Sequence, residues 1–213
     1  MRCLEMICTK NNYQNSDYME NDFSGIFEQM KMHGMKVQTP KVLIQVHDAK
    51  TVLRNALTYF LGLEGKQLIW LHQYDAVAEW LENNEGRGLF LYGTSGLGKT
   101  FLTRYVISAI LLKYCNKVVS SYDMVEANKD PEKVLQKHII ALDDIGTEEI
   151  SVKYGEKRSV VPEILDSVEK YGKLILLTSN LGAEQLVQKY GTRTMDRIIG
   201  TTKRIEFTGR SFR

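Results

Sequence analysis

Between residues 93 and 100 the chain reads Gly-Thr-Ser-Gly-Leu-Gly-Lys-Thr, directly after the apolar run GLFLY (Gly88–Tyr92). The octet fits G-x-x-x-x-G-K-[ST]. The run before it reads as a strand, and Thr100–Tyr114 after it carries helical periodicity. Each residue type has a chemical reason. Glycines at 93, 96 and 98 let the backbone wrap so that successive N–H groups converge on an anion. A helix that starts where the loop ends adds the positive end of its dipole. Lys99 supplies a point charge suited to β- and γ-phosphates, and Thr100 a hydroxyl suited to Mg2+. Gly93, Thr94, Ser95, Gly96, Leu97, Gly98, Lys99 and Thr100 are therefore the expected phosphate cradle.

The rest of the chain alternates short apolar runs with helical patterns. KVVSS (Lys117–Ser121), HIIAL (His138–Leu142) and KLILLT (Lys173–Thr178) read as strands covered on both faces, and RIEF (Arg204–Phe207) is a fifth, weaker strand candidate. Helices are expected at Pro131–Gln136, Val160–Tyr171 and Ala183–Tyr190, with two more upstream, around Ala49–Leu61 and Tyr74–Asn83. This alternation predicts an α/β fold with a mostly parallel sheet and helices on both sides.

Two further sites follow from strand ends. HIIAL delivers Asp143 and Asp144 where open α/β sheets place ligands. One carboxylate there can hold hydrated Mg2+ and its neighbour can deprotonate an attacking water. An Asp-Asp pair alone also suits a turn or helix cap. KLILLT leads into Ser179 and Asn180, whose amide can meet the water or the γ-phosphate; a loop-starting Asn is the plainer alternative. Downstream, Arg193 and Arg197 are four apart, on one face if the segment is helical. That pair suits either a solvated face beside Asp196 or a cationic reach toward a neighbouring subunit's phosphate.

Residues 1–38 differ from the remainder. Six of the eight methionines lie there, among Asn and Asp, and Phe23, Ile26, Phe27 and Met30 make a single helical stripe. Asn21 or Asp22 is a candidate cap and Gly34 a candidate stop. The stripe suits a core face or a partner-binding face, and methionine favours adaptable contacts. Pro40 marks the expected boundary between this arm and a domain spanning 39–213. With 28 Lys and Arg against 26 Asp and Glu, net charge +2, the surface is too balanced to grip nucleic acid by charge alone. Cys3, Cys8 and Cys115 form no disulfide framework, and the four histidines show no metal spacing. The expectation is a cytoplasmic protein, with no signal peptide and no membrane span.

From Gly88 to Arg213 the chain resembles the AAA+ ATPases of the bacterial DnaC/DnaI helicase-loader group, close to the IstB transposition helpers. Similarity extends more weakly back to Pro40. The resemblance rests on LFLYGTSGLGKT, IIALDDIGTE, LLTSNL, YGTRTMDRI and the closing IEFTGRSFR, in that order. It implies a P-loop NTPase of AAA+ type: a five-stranded parallel sheet, the strand before Asn180 lying between the P-loop strand and the strand before Asp143, and no full C-terminal lid. It implies ATP and Mg2+ as ligands, with Lys99 and Thr100 as Walker A residues and Asp143 as the Walker B magnesium residue. Asp144 takes the catalytic acid's place, Asn180 sensor I, Arg197 the arginine finger and Arg193 its companion. Asp144 stands where many relatives have Glu, so slow hydrolysis is expected. The implied function is replicative-helicase loading. The arm would hold the helicase, ATP would promote self-association, and single-stranded DNA is a candidate partner. A transposition helper and a switch with little hydrolysis are the alternatives.

Overall fold

A computed structural model of the chain describes residues 23–35, 40–148, 151–153 and 156–212. It divides into two compact units, 1–37 and 38–213. In the first, α1 (Phe23–Met32) coincides with the helical stripe, and Ile26 and Met30 are exposed on it. The helix closes at His33–Gly34, where the Met35 N–H donates to Met30 O at 2.9 Å. The candidate caps Asn21 and Asp22 lie outside the described residues.

The second unit holds β1 (Gly88–Gly93), β2 (Ser120–Asp123), β3 (Ile139–Asp143), β4 (Ser151–Lys153), β5 (Glu156–Arg158), β6 (Leu174–Ser179) and β7 (Thr202–Phe207). Five of these form one sheet in the order β2-β3-β6-β1-β7, every neighbouring pair parallel; β4 and β5 make a separate antiparallel hairpin. The helices are α2 (Ala49–Leu63), α3 (Gln73–Glu82), α4 (Lys99–Phe101), α5 (Ser108–Cys115), α6 (Met124–Lys129), α7 (Pro131–Leu135), α8 (Val160–Tyr171), α9 (Ala183–Tyr190) and α10 (Thr192–Thr201).

Period-two alternation within the apolar strands sorts the core into two layers. Leu89, Leu91, Ile139, Ala141, Leu174 and Leu176 point to the side of α2, α3 and the helix after the P-loop. Phe90, Ile140, Leu142, Ile175 and Leu177 point to the side of α8, α9 and α10. Both faces are covered over β1, β3 and β6, which read as continuous apolar runs, whereas the edge strand β7 exposes Arg204 and Glu206 and is not covered on both faces.

The helix after the P-loop is not regular. Between α4 and α5, residues Leu102–Ile107 widen into a π-helical stretch. Thr103 Oγ1 bonds back to Lys99 O and Thr100 O, and Ser108 Oγ to Thr103 O five residues earlier. Such back-bonding competes with the regular ladder.

β2 begins three residues later than KVVSS suggested. Asn116 ends α5 in a left-handed conformation, φ 51°, and Lys117 N–H still bonds Leu111 O, so the chain is turning out of the helix over Lys117. Pairing starts only where Ser120 faces Ile140. The short α6 is closed by a capping box, Asp123 with Glu126. No described helix is long and apolar enough to cross a membrane.

Candidate nucleotide-binding site

β1 ends at Gly93, the loop runs from Thr94 to Gly98, and the helix starts at Lys99. Gly93 has φ +109°, and a Cβ there would stand 2.5 Å from Phe207 O, so both conformation and space demand glycine. The loop is pinned from the β7 side: Thr94 N–H donates to Phe207 O at 2.8 Å and Phe212 N–H to Gly96 O at 3.2 Å.

Lys99 is 5% exposed. Its Nζ donates to Gly93 O at 2.9 Å, Thr94 O at 2.8 Å and Asn180 Oδ1 at 2.9 Å. Asn180 follows β6, and its Nδ2 donates to Asp144 Oδ1 at 2.8 Å. The strand order accounts for this meeting: β6 lies between β1 and β3, so the residues leaving all three tips converge.

Thr178 adds a bridge that sequence reasoning missed. Its hydroxyl donates to Asp143 Oδ1 at 2.6 Å and accepts the Asp144 N–H at 2.8 Å, so one side chain sets both acids. A polar residue closing an otherwise apolar strand was the available signal. Asp144 itself adopts φ +56°. Burial, and then the charge of Asp143, push its carboxyl above the usual range, against the opposing pull of Asn180 and Lys99.

Beside these groups lies a cavity of about 790 Å³. Ser95, Gly96, Lys99, Thr100, Asp144 and Asn180 line it, together with apolar Leu61, Leu68, Ile69, Tyr105 and Phe212. That volume and mixture suit a ligand with a charged and an apolar part. The apolar lining comes from three separate segments and shows no local motif.

Arg193 and Arg197 lie on α10, as their spacing allowed, but not beside the P-loop of their own chain. Both line a second cavity of about 700 Å³ that includes none of the P-loop residues. Arg197 Nη1 is 2.5 Å from Asp166 Oδ1 and its Nε 3.3 Å from Glu169 Oε2, both acids on α8.

A parallel sheet ordered β2-β3-β6-β1-β7, with a glycine-rich loop and lysine after β1 and acids after β3, is the P-loop NTPase fold of AAA+ type. The match to one solved structure agrees with this fold. A crystal structure of the DnaC helicase loader matches with a TM-score of 0.54 at 17% identity, covering 66% of this chain and 93% of that one. DnaI matches with a TM-score of 0.48 at 25% identity, over 60% of this chain and 73% of its own. AMPPCP-bound DnaA from Aquifex aeolicus gives 0.47 at 20% identity, over 66% and 48%. The family model "Nephrocystin 3, N-terminal" matches residues 67–143, a stretch that holds the whole P-loop and stops at Asp143. No curated protein matches significantly.

Proposed function

We propose that the chain is an ATP-binding and slowly hydrolysing AAA+ protein that loads a replicative helicase. The observation that carries the ATPase reading is the hydrogen-bonded series Lys99–Asn180–Asp144, drawn from the tips of three adjacent strands. In this arrangement the P-loop carbonyls and Asn180 hold the Lys99 ammonium. Phosphate oxygens offer it stronger, charged acceptors, so ATP binding would draw Nζ from them. Asn180 then keeps its amide on Asp144 and on the attacking water. Asp144 takes the water's proton as the oxygen attacks the γ-phosphorus and ADP leaves.

The donor set also fits Mg2+: an Asp143 carboxylate oriented by Thr178, next to a P-loop with its threonine, matches what this small hard cation takes from protein when phosphates supply the rest. Thr100 and Asp143 would hold it. When bound it neutralises charge on the β- and γ-phosphates. Arg197 would reach the phosphate of a neighbouring subunit, with Arg193 beside it, which agrees with its distance from the P-loop cavity of its own chain.

Helicase loading is supported by the ordered motifs quoted above and by the fold shared with the DnaC helicase loader. The arm would be the helicase-binding element. Two experiments test the reading. Lys99→Ala should lose ATP binding, whereas Asp144→Asn should bind ATP without turning it over; equal turnover by wild type and Asp144→Asn removes Asp144 from the mechanism. A pull-down with residues 1–38 as bait should recover a helicase, and recovery of a transposase would make the chain a transposition helper instead.

A further inference from the structure

Two residues of the motif segments have no part in the chemistry above: Glu148, which closes IIALDDIGTE, and Tyr190, which opens YGTRTMDRI. The fold brings them together, the Tyr190 hydroxyl donating to Glu148 Oε1. The Glu148 side chain is 3% exposed. Its Oε2 accepts the Gly146 N–H at 2.9 Å and lies 3.6 Å from Lys189 Nζ. Lys189 in turn donates to Gly146 O at 2.7 Å and to Glu148 O. A buried carboxylate is thus surrounded by donors, and the N–H and C=O of Gly146 are both held by charged side chains.

What this cage restrains is the turn leaving β3. Asp144, at φ +56°, occupies a region that non-glycine residues visit rarely and keep only when their surroundings over-determine it. Its N–H is held by Thr178 Oγ1 and its C=O by Thr147 Oγ1 at 2.7 Å. Ile145 is tied to β6 through its N–H, on Thr178 O, and its C=O, on Ser179 Oγ. Gly146 follows at φ +98°, where a Cβ would stand 2.5 Å from Leu181 Cδ1. The cage supplies the side-chain bonds that hold the turn at Gly146, beyond its ties to β6. Burial, and then the Glu148 carboxylate, push the Tyr190 hydroxyl far above its ordinary range, so it remains a donor at every physiological pH.

We propose that Glu148 is a positioning residue: with Lys189 and Tyr190 it fixes the turn that presents Asp144 to Asn180 and to the attacking water. The inference rests on the reading of Asp144 as the general base. It differs from simple structural glue, because it concerns the aim of one carboxylate while the nucleotide is held elsewhere, by the P-loop. Loss of Glu148 should therefore lower turnover and spare affinity. Gln at this position can still accept from Gly146 and donate to the Tyr190 oxygen, so it should restore much of the geometry.

The test measures ATP turnover and the Kd of a fluorescent non-hydrolysable ATP analogue for wild type, Asp144→Asn, Glu148→Ala, Glu148→Gln and Tyr190→Phe. Glu148→Ala should lose roughly 10–100-fold in kcat, the scale on which losing the hydrogen-bond partners that orient metal ligands lowers activity. Its analogue Kd should stay within about twofold of wild type, and Glu148→Gln should recover most of the lost rate. Wild-type turnover in Glu148→Ala, a Glu148→Gln no better than Ala, or affinity falling in step with rate would each overturn the proposal. If Glu148→Ala does not fold, Tyr190→Phe decides, since it removes one oxygen: lowered kcat at unchanged Kd supports the cage and wild-type kcat overturns it. Turnover in Asp144→Asn equal to wild type would overturn the general-base reading and this inference with it. An inactive Asp144→Asn beside a fully active Glu148→Ala would overturn this inference alone.

Discussion

The amide of Asn180 joins two of the charged groups of the site: it accepts from Lys99 Nζ at 2.9 Å and donates to Asp144 Oδ1 at 2.8 Å. Neutral and bifunctional, it can keep one contact while the other is exchanged for substrate. Asn180→Ala should therefore leave nucleotide affinity within about threefold of wild type and lower turnover by at least about tenfold, the lower end of what losing a preorganised polar partner does to a rate. Single-turnover hydrolysis beside analogue binding measures both. Unchanged turnover would reduce Asn180 to a loop-starting residue.

Thr178 is 2% exposed and serves Asp143 and Asp144 at once. Thr178→Val keeps the shape and removes the hydroxyl. One acceptor and one N–H, both part-buried, then lose their partner; each costs at most about 1–3 kcal/mol, less where water reaches it. Denaturant unfolding should show that loss, and titration of Mg2+ into the ATP-bound protein should show weaker magnesium affinity. Wild-type behaviour in both would mean that water replaces the hydroxyl without consequence.

Arg197 pairs in its own chain with Asp166 and Glu169, whose side chains are 53% and 62% exposed. The Arg197 side chain is itself only 19% exposed, so a reach to a neighbouring subunit requires the guanidinium to exchange both acids for the phosphate. If Arg197 acts between subunits, specific activity should rise with protein concentration. Mixing inactive Lys99→Ala with inactive Arg197→Ala should restore part of it. Arg197→Lys should stay inactive, because an ammonium lacks the planar fork. No recovery in proven mixed assemblies would confine Arg197 to its own chain.

A chain starting at Pro40 should fold and bind nucleotide but lose its protein partner. The motivation is the stripe on α1, where Ile26 and Met30 are exposed. Four apolar side chains at i, i+3, i+4 and i+7 are the anchors by which a helix enters a groove. Circular dichroism and analogue binding check the fold, and a pull-down checks the partner. An insoluble or unfolded truncation would make the stripe ordinary core.

Local physics explains what could be read directly. The P-loop was legible because its glycines, Lys99 and Thr100 act within eight consecutive residues, and because GLFLY and the helical run flank them. The central strands β1, β3 and β6 were legible because two-sided burial makes them nearly continuously apolar. Where a terminal residue decides, as at Asn116, the boundary moved and β2 began late. The Asp123–Glu126 capping box of α6 was also written locally and passed unread, since six residues carry too short a period to register.

The remainder belongs to topology. That β6 inserts between β1 and β3 came only through the family resemblance, because no periodicity encodes strand order. That insertion is what carries Asn180 to Lys99, 81 positions away, and Thr178 to Asp143, 35 away. Packing of α9 and α10 on one face likewise brings Tyr190 to Glu148 and sets Arg197 against α8 rather than the P-loop. A residue's type and spacing determine which chemistry it can perform. Which partner it performs it with depends on contacts between distant segments, and those form only when the whole sheet is assembled.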